Sequence, residues 1–295
     1  MKDSYAIIDV GTNNVLLLIA QKSEKGISVL KKKSDTSFLG RNMQGNLLQI
    51  ESINKTKRIL DYYILLSQQY TENIIIIGTS CSRKAKNINL LSDWLLKKYQ
   101  LRYYIISGER EAYLNGLANI NEFTDQKNMI LFDVGGGSTE FTYIENRNIV
   151  FQQSIELGVH YLINEFDDDI NRKREKVKEL LKTLNISSLE KAILVGIGGT
   201  ATSLSALTQN MVQYNAKRIH KSKVTFFDIE KLMLFFRNSD LQTIKNSMQF
   251  DPERAEIIAT GTMIFQEILA FLDYQEFWVS DHGFQYGVLY LGKDE

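Results

Sequence analysis

The sequence predicts an α/β fold of two lobes, each a mixed sheet flanked by helices, with a cleft between them. Three observations carry this. Residues 129–143 read as an apolar strand ending in Asp133, a turn through Gly135, Gly136 and Gly137, and Ser138-Thr139-Glu140 leading into a second, alternating strand. Residues 5–20 repeat that design 124 positions earlier, with Asp9 at the strand end and Gly11-Thr12-Asn13 in the turn. Each hairpin is then followed by a further strand-like run, 27–31 and 148–154. A self-similar unit this long indicates paired lobes, because solenoid repeats are much shorter. Glycine turns let N–H groups converge on one anion with no Cβ in the way, and a carboxylate at the strand end can hold a divalent cation over the same phosphate. An ordinary glycine-rich hairpin explains either copy alone; two copies facing one cleft favour an anion site.

Composition narrows the partners. Lys+Arg and Asp+Glu both number 35, so global charge gives no reason to expect nucleic acid or an anionic membrane. Cys81 is the only cysteine, which excludes an intrachain disulfide and a cysteine-based zinc site and fits a reducing cytoplasm. The first apolar run is broken by Asp9, Gly11, Thr12, Asn13 and Asn14, unlike a secretory leader, and no apolar run is long enough to span a bilayer. A soluble, cytoplasmic protein is expected.

Taken in order, Lys31-Lys32-Lys33 reads as a solvated strand end before a loop at 40–45. Apolar residues at helical spacing make 48–70 a packing helix. A buried strand at 73–77 runs into Thr79, Ser80, Ser82 and Arg83, just past a strand's carboxyl end, where ligands of open sheets gather. Arg83 has the planar fork to grip a phosphate, although spacing alone favours a surface arginine with no essential contact. A helix at 90–99 and a strand at 103–106 follow, and then Ser107 as N-cap of a helix at 108–121. Capping and the helix dipole account fully for Glu109 and Glu111 in its first turn. The functional alternative makes Glu111 the base for an attacking water, and spacing alone ranks the cap first. The lobe boundary falls near 124, giving 1–124 and 125–295, with the terminal helix able to pack back on the first lobe.

In the second lobe a helix begins at Gly158, and Asp167, Asp168 and Asp169 cap a helix at 170–184 rather than hold a metal. Residues 192–201 make a strand, a turn through Gly198-Gly199-Thr200 and a helix. Gly196, Gly198 and Ala201 formally match a dinucleotide fingerprint, but the acid required about 20 residues on is missing. Residues 287–294 imitate a phosphate loop, with Asp294 where a hydroxyl is needed. Lys217, Arg218, His220, Lys221 and Lys223 read as a solvated loop, with contact to a polyanion as the minority reading. Asp251 and Pro252 start a long apolar helix to about 272, followed by a strand at 277–280 and a terminal helix. His160, His220 and His282 show no metal spacing, and none is assigned as a ligand.

Laid out together, these pieces resemble the exopolyphosphatase/guanosine pentaphosphate phosphatase family, a branch of the fold shared by actin, sugar kinases and heat-shock chaperone ATPases. The resemblance runs from about residue 5 to 291. It rests on Asp9-Val10-Gly11-Thr12-Asn13, on Thr79 to Asn87, on Ile106-Ser107-Gly108 with Glu111-Ala112, on Asp133 through Glu140, on Leu157-Gly158-Val159, on Gly196 through Thr200, and on Arg254-Ala255-Glu256. It implies two actin-like (ribonuclease H-like) lobes, Glu111 as general base and Arg83 gripping phosphate. It implies further that Asp9, Asp133 and Glu140 face Mg2+. Phosphates would be cradled by Gly11, Thr12, Asn13, Gly135, Gly136, Gly137, Ser138 and Thr139, with Gly198, Gly199 and Thr200. The implied activity is release of terminal orthophosphate from inorganic polyphosphate, with guanosine pentaphosphate as a second candidate substrate and a second copy of the chain as a candidate partner. Its rivals are an ATP-dependent small-molecule kinase of the same fold and a catalytically weak polyphosphate- or alarmone-binding protein. Leu16 and Gln285 stand where the family usually carries cations, and Arg110 replaces an acid. Each missing charge-assisted contact is worth roughly 1.5–3 kcal/mol.

Overall fold

The computed structural model describes residues 3–23, 26–167, 169–185 and 192–291; Asp168 and residues 292–294 of the phosphate-loop lookalike lie outside them. Strands β1 (Asp3–Val10), β2 (Asn14–Ser23) and β3 (Gly26–Thr36) form a meander. Helix α1 (Ile50–Gln68), β4 (Ile74–Gly78), α2 (Ser80–Lys84), α3 (Asn89–Tyr99), β5 (Tyr103–Ile105) and α4 (Gly108–Glu122) follow. The sheet order is β3-β2-β1-β4-β5, with β1 antiparallel to β2 and parallel to β4. Ile7, Ile8 and Val10 are all fully buried, so both faces of β1 are covered, as its continuous apolar run requires.

The second half repeats this plan. Strands β6 (Met129–Val134), β7 (Thr139–Glu145) and β8 (Asn148–Ile155) form its meander, followed by α5 (Val159–Phe166) and α6 (Ile170–Leu181). Then come β9 (Ile193–Ile197), α7 (Gly198–Thr208), α8 (Ala216–Ile219), β10 (Lys223–Thr225), α9 (Phe226–Asn238), α10 (Leu241–Ser247), α11 (Ile258–Leu272), β11 (Glu276–Ser280) and α12 (Phe284–Tyr290). The order is β10-β11-β9-β6-β7-β8. Setting aside β10, an added antiparallel edge, the connectivity equals that of the first sheet. The two mixed sheets flanked by helices expected from the sequence are therefore present.

Each sheet has its own core. In the second, Phe132, Phe265 and Phe277 meet at centroid distances of 4.7 to 5.8 Å. In the first, Tyr63 and Ile64 of α1 pack under Ile8 and Leu17. A further core mixes the halves: Phe284, Tyr286 and Leu289 of α12 pack on Leu114 and Ala118 of α4 and on Ile7 and Leu18. Helix α4 also lies against the second sheet, where Thr142 Oγ1 donates to the Ala112 carbonyl at 2.7 Å. Two helices thus cross between the sheets and hold them together.

Two expectations need correcting, and two helices were missed. Lys31-Lys32-Lys33 lies inside β3, because pairing with β2 continues to Asn14 opposite Thr36, and Lys32 forms an ion pair with Asp281 at 2.6 Å. The helix expected from Pro252 is broken: a 3-10 helix (Pro252–Glu256) precedes α11, and the Asp251 carboxylate accepts from Arg254 Nε at 3.1 Å instead of capping. Helices α9 and α10 had no assignment from sequence, although each carries a cap: Thr225 and Asp228 form a reciprocal box, and Asp240 accepts from Thr243 N–H at 2.7 Å. Asp169 caps α6 as expected.

Gly158 marks a tight join of backbone to backbone near the cleft. A Cβ there would lie 2.4 Å from the Gly136 carbonyl carbon and oxygen and the Gly137 nitrogen, all backbone atoms that cannot swing away. Gly158→Ala is expected to destabilise the protein by about 2 kcal/mol or more, read as a lower urea midpoint at unchanged slope.

Candidate functional site

The two hairpin turns close in the same way. Gly11 N–H donates to the Asn14 carbonyl and Gly135 N–H to the Ser138 carbonyl, both at 2.9 Å. They face each other: a Cβ on Gly136 would lie 2.7 Å from the Thr12 Cβ. His160 Nε2 and Asn13 Oδ1 are 2.8 Å apart across the same join. Burial, aided by Arg41 and Arg254, pulls His160 down to about 4, so its ring is neutral near pH 7. The Asn13 amide nitrogen is engaged with Asn14, leaving Asn13 Oδ1 to accept from Nε2–H.

Between the turns lies a cavity of about 780 Å³. Its wall includes Asp9, Glu111, Asp133 and Glu140, the turn residues Gly11, Thr12, Asn13, Gly135, Gly136 and Ser138, and Gly198, Gly199 and Thr200. Gly198 is required where it stands. Its φ is +79°, and a Cβ would fall 2.2 Å from Asp133 Oδ1.

Three expected residues are not on that wall. Thr139 turns its hydroxyl away and donates to the Leu157 carbonyl at 2.5 Å, tying the hairpin to the chain before α5. Gly137 lies against Ser80, whose Oγ would be 2.7 Å from a Cβ. Arg83 stands behind Glu111: Nη1 donates to Glu111 Oε2 at 2.9 Å and to the Ile106 carbonyl at 3.0 Å. Its Nη2 donates to Ser138 Oγ at 3.4 Å and lies 3.7 Å from Glu140 Oε1. Its fork therefore bridges the two acids at the edge of the cavity they line. Ser107 caps α4 by accepting from Arg110 N–H at 3.1 Å, so the Glu111 carboxylate is free of capping work and points to the cavity.

The electrostatics are those of acids crowded out of water. Burial pushes Glu111 up to about 8, outweighing the opposing pull of Arg83, with Asp133 and Asp9 adding to the rise. Burial likewise raises Asp133 to about 6, against the hydrogen bond from Asn115. Burial, followed by the neighbouring acids, holds Glu140 and Asp9 well above the carboxylate range. Among the described residues the buried Asp9 Oδ1 has no hydrogen-bond partner, and a hard, oxygen-seeking cation suits such an atom. Asp9 and Asp133 fit Mg2+ best. Glu140 fits less well, since its Oε1 already accepts from Ser138 at 2.6 Å and Ser154 at 2.8 Å.

Other functional residues had weak sequence signals. Lys32 and Arg254 line the cavity from stretches read as a strand end and a helix start. Asn115 and Gln285 touch Asp133 and Asp9, and no local pattern announces either contact. Leu16 lines the cavity where a cation was expected. His220 and His282, distant in sequence, stack at 4.5 Å and share the Glu122 carboxylate, at 3.2 and 3.1 Å. His220 Nδ1 accepts the Asp281 N–H, so the neutral ring carries its proton on Nε2, toward Glu122. The ligand atoms of Glu122, His220 and His282 all lie within 4.8 Å of one another, a grouping of potential metal donors that the spacing of the histidines in the sequence did not suggest.

Comparison with known proteins fits this geometry. The model of the Ppx/GppA phosphatase family matches residues 18–293. The chain belongs to this family. Among its Ppx/GppA relatives, the bifunctional 3-dehydroquinate synthase/phosphatase of Fusobacterium nucleatum is 30% identical over 98% of this chain, which spans only 46% of that protein. Exopolyphosphatase 2 of Mycobacterium tuberculosis is 27% identical, with 89% of each chain covered. The crystal structure of the Aquifex aeolicus Ppx/GppA family member superposes with a TM-score of 0.80 at 26% identity, covering 97% of this chain and 96% of that one.

The raised acids of this Ppx/GppA site set the pH dependence of stability. Between pH 4.5 and about 8 the folded state holds a proton on Glu111 that the unfolded chain has released, so stability must fall as pH rises through that window. Without divalent cation, the melting temperature is expected to be higher at pH 5.5 than at pH 8 by scanning calorimetry. Glu111→Gln should flatten part of that slope.

Proposed function

We propose that this protein hydrolyses phosphoanhydrides, releasing orthophosphate from the end of inorganic polyphosphate and from guanosine pentaphosphate. The observation that carries the reading is the Glu111 carboxylate facing the gap between two opposed glycine turns, held by Arg83 at 2.9 Å. The names of its relatives agree: exopolyphosphatase, guanosine-5'-triphosphate,3'-diphosphate pyrophosphatase and a phosphatase fused to a synthase. None is a kinase or a mere binding protein, so those rival readings gain no support.

The terminal phosphate sits between the Gly11–Thr12–Asn13 and Gly135–Gly136 turns, whose amides bind its non-bridging oxygens. Glu111, in its carboxylate form, accepts a proton from water placed in line with the terminal bridging bond. The water oxygen bonds to phosphorus, the bridging P–O bond breaks, and the electron pair leaves on the shortened chain. Arg83 fixes the rotamer of Glu111, and Ser138 and Ser154 fix that of Glu140. A bound Mg2+, held by Asp9 and Asp133, would neutralise charge on the phosphate oxygens. The cytoplasm and a homodimeric state complete the proposal; the buried, unpaired thiol of Cys81 supports the former, and no helix among the described residues is long and apolar enough to cross a membrane.

Phosphate release from polyphosphate under Mg2+ is expected to fall by roughly 10²–10⁴-fold in Glu111→Gln, which keeps the hydrogen bond to Arg83 but cannot take a proton. Wild-type activity in that variant would refute the mechanism. In the wild type, kcat/KM should rise with pH below about 8, since only the carboxylate form works and burial raises its pKa. Chain analysis by gel should show stepwise shortening, and mid-length fragments preceding free phosphate would exclude terminal attack.

A further inference from the structure

Asp9 and Asp133 occupy equivalent places at the ends of β1 and β6, one in each sheet, and each is held by one neutral amide. Gln285 Nε2 donates to Asp9 Oδ2 at 3.1 Å, and Asn115 Nδ2 donates to Asp133 Oδ2 at 3.3 Å. The pairing is crossed. Asn115 belongs to α4, the last helix of the first half, and serves the second sheet; Gln285 belongs to α12, the last helix of the second half, and serves the first. Both amides are buried, at 2% and 5% exposure.

From this arrangement we infer that Asn115 and Gln285 are a reciprocal pair of positioning residues that preset one divalent-cation site between the two sheets. Each amide turns its N–H to an acid and its oxygen away. Both amide oxygens lie near one point, since a Cβ on Gly283 would be 3.4 Å from Gln285 Oε1 and 3.9 Å from Asn115 Oδ1. Among the described residues, the buried Asn115 Oδ1 and Asp9 Oδ1 have no hydrogen-bond partner. Flipping the Asn115 amide would set its oxygen against Asp133, so its orientation follows from an acid that acts as acceptor.

Neutral donors orient a carboxylate without cancelling its charge. Among the described residues no ion pair reaches Asp9 or Asp133, while Arg83 is engaged with Glu111 and Glu140. The charge of the two acids is left for a cation. Helices α4 and α12 press together, with the Leu114 carbonyl oxygen only 2.0 Å from where a Gly287 Cβ would be. Because each helix carries the amide for the opposite sheet, this helix contact sets the spacing of the acids, and one ion reads both amides at once.

The inference rests on the proposed role of Asp9 and Asp133, and its test is binding, not turnover. Mg2+ and Mn2+ are titrated calorimetrically into the full-length wild type, Gln285→Leu, Gln285→Arg, Asn115→Leu and the double Leu variant, and melting is recorded with and without Mg2+. Each single variant is expected to weaken binding at least tenfold and to lose the Mg2+-induced rise in melting temperature. Gln285→Arg should weaken it most, by placing a fixed positive charge against Asp9. The double variant should lose far less than the product of the single losses, since both amides serve one ion. A residue with only a structural role would lower melting but leave the Mg2+ increment intact, and that result overturns the inference. Wild-type affinity in Gln285→Leu, or fully multiplicative losses in the double variant, would overturn it too. Should Asn115→Leu not fold, the two Gln285 variants decide alone. If the wild type binds Mg2+ with these effects yet releases no phosphate, the functional reading fails and this inference stands; if the wild type binds neither ion, this inference fails.

Discussion

The molecule depends on an electrostatic constraint: Asp9, Glu111, Asp133 and Glu140 are withdrawn from water around one gap, with the Arg83 guanidinium as the cation paired into the group. Burial raises the pKa of all four. Such crowding is costly in a folded protein unless hydrogen bonds, cations or bound ligand offset it. The surrounding structure supplies what it can: a guanidinium shared by Glu111 and Glu140, serines on Glu140, and single amides on Asp9 and Asp133. What remains is a group of buried acids with more negative charge than their partners neutralise.

The fold serves that imbalance by duplication. Two hairpins with the same closing hydrogen bond meet tip to tip, and Gly136 and Gly158 let backbone approach where side chains could not. Helices α4 and α12 then lock the sheets in register from behind, so the acids at the two strand ends stay a fixed distance apart. Around the mouth, ion pairs join the halves again: Lys32 with Asp281 at 2.6 Å and Arg41 with Glu256 at 2.5 Å. The exposed Arg41–Glu256 pair contributes little to stability, whereas Lys32 pairs with a largely buried Asp281.

Functional roles in this site follow from placement more than from residue type. Arg83 has the chemistry of a phosphate clamp, and in this structure its fork bonds Glu111, the Ile106 carbonyl and Ser138 and lies 3.7 Å from Glu140. Glu111 has the sequence position of a helix-dipole acid, yet Ser107 alone completes the cap and frees it. Thr139 lies in the glycine motif, and its hydroxyl anchors the turn to the Leu157 carbonyl.

Much was legible in the chain alone because it was local or repeated. Strand-glycine-strand patterns 124 residues apart announced two lobes, and apolar periodicity placed most helices within a few residues. The glycine turns and Asp9 and Asp133 were found this way, since turn geometry and strand ends leave marks in adjacent residues. Misreadings arose where a distant partner intervened. Lys32 is held in β3 by the β2 ladder and answers Asp281, while Asp251 gives up its capping role to Arg254. The crossed contacts of Asn115 and Gln285, and the choice of Glu111 over its neighbours as the acid facing the gap, join segments far apart in the chain, with 276 residues between Gln285 and Asp9. Short-range pattern decides which elements exist, because backbone hydrogen bonds and side-chain periodicity act over a few residues. Only packing of the two sheets decides which side chains are stripped of water together, and that desolvation makes the chemistry.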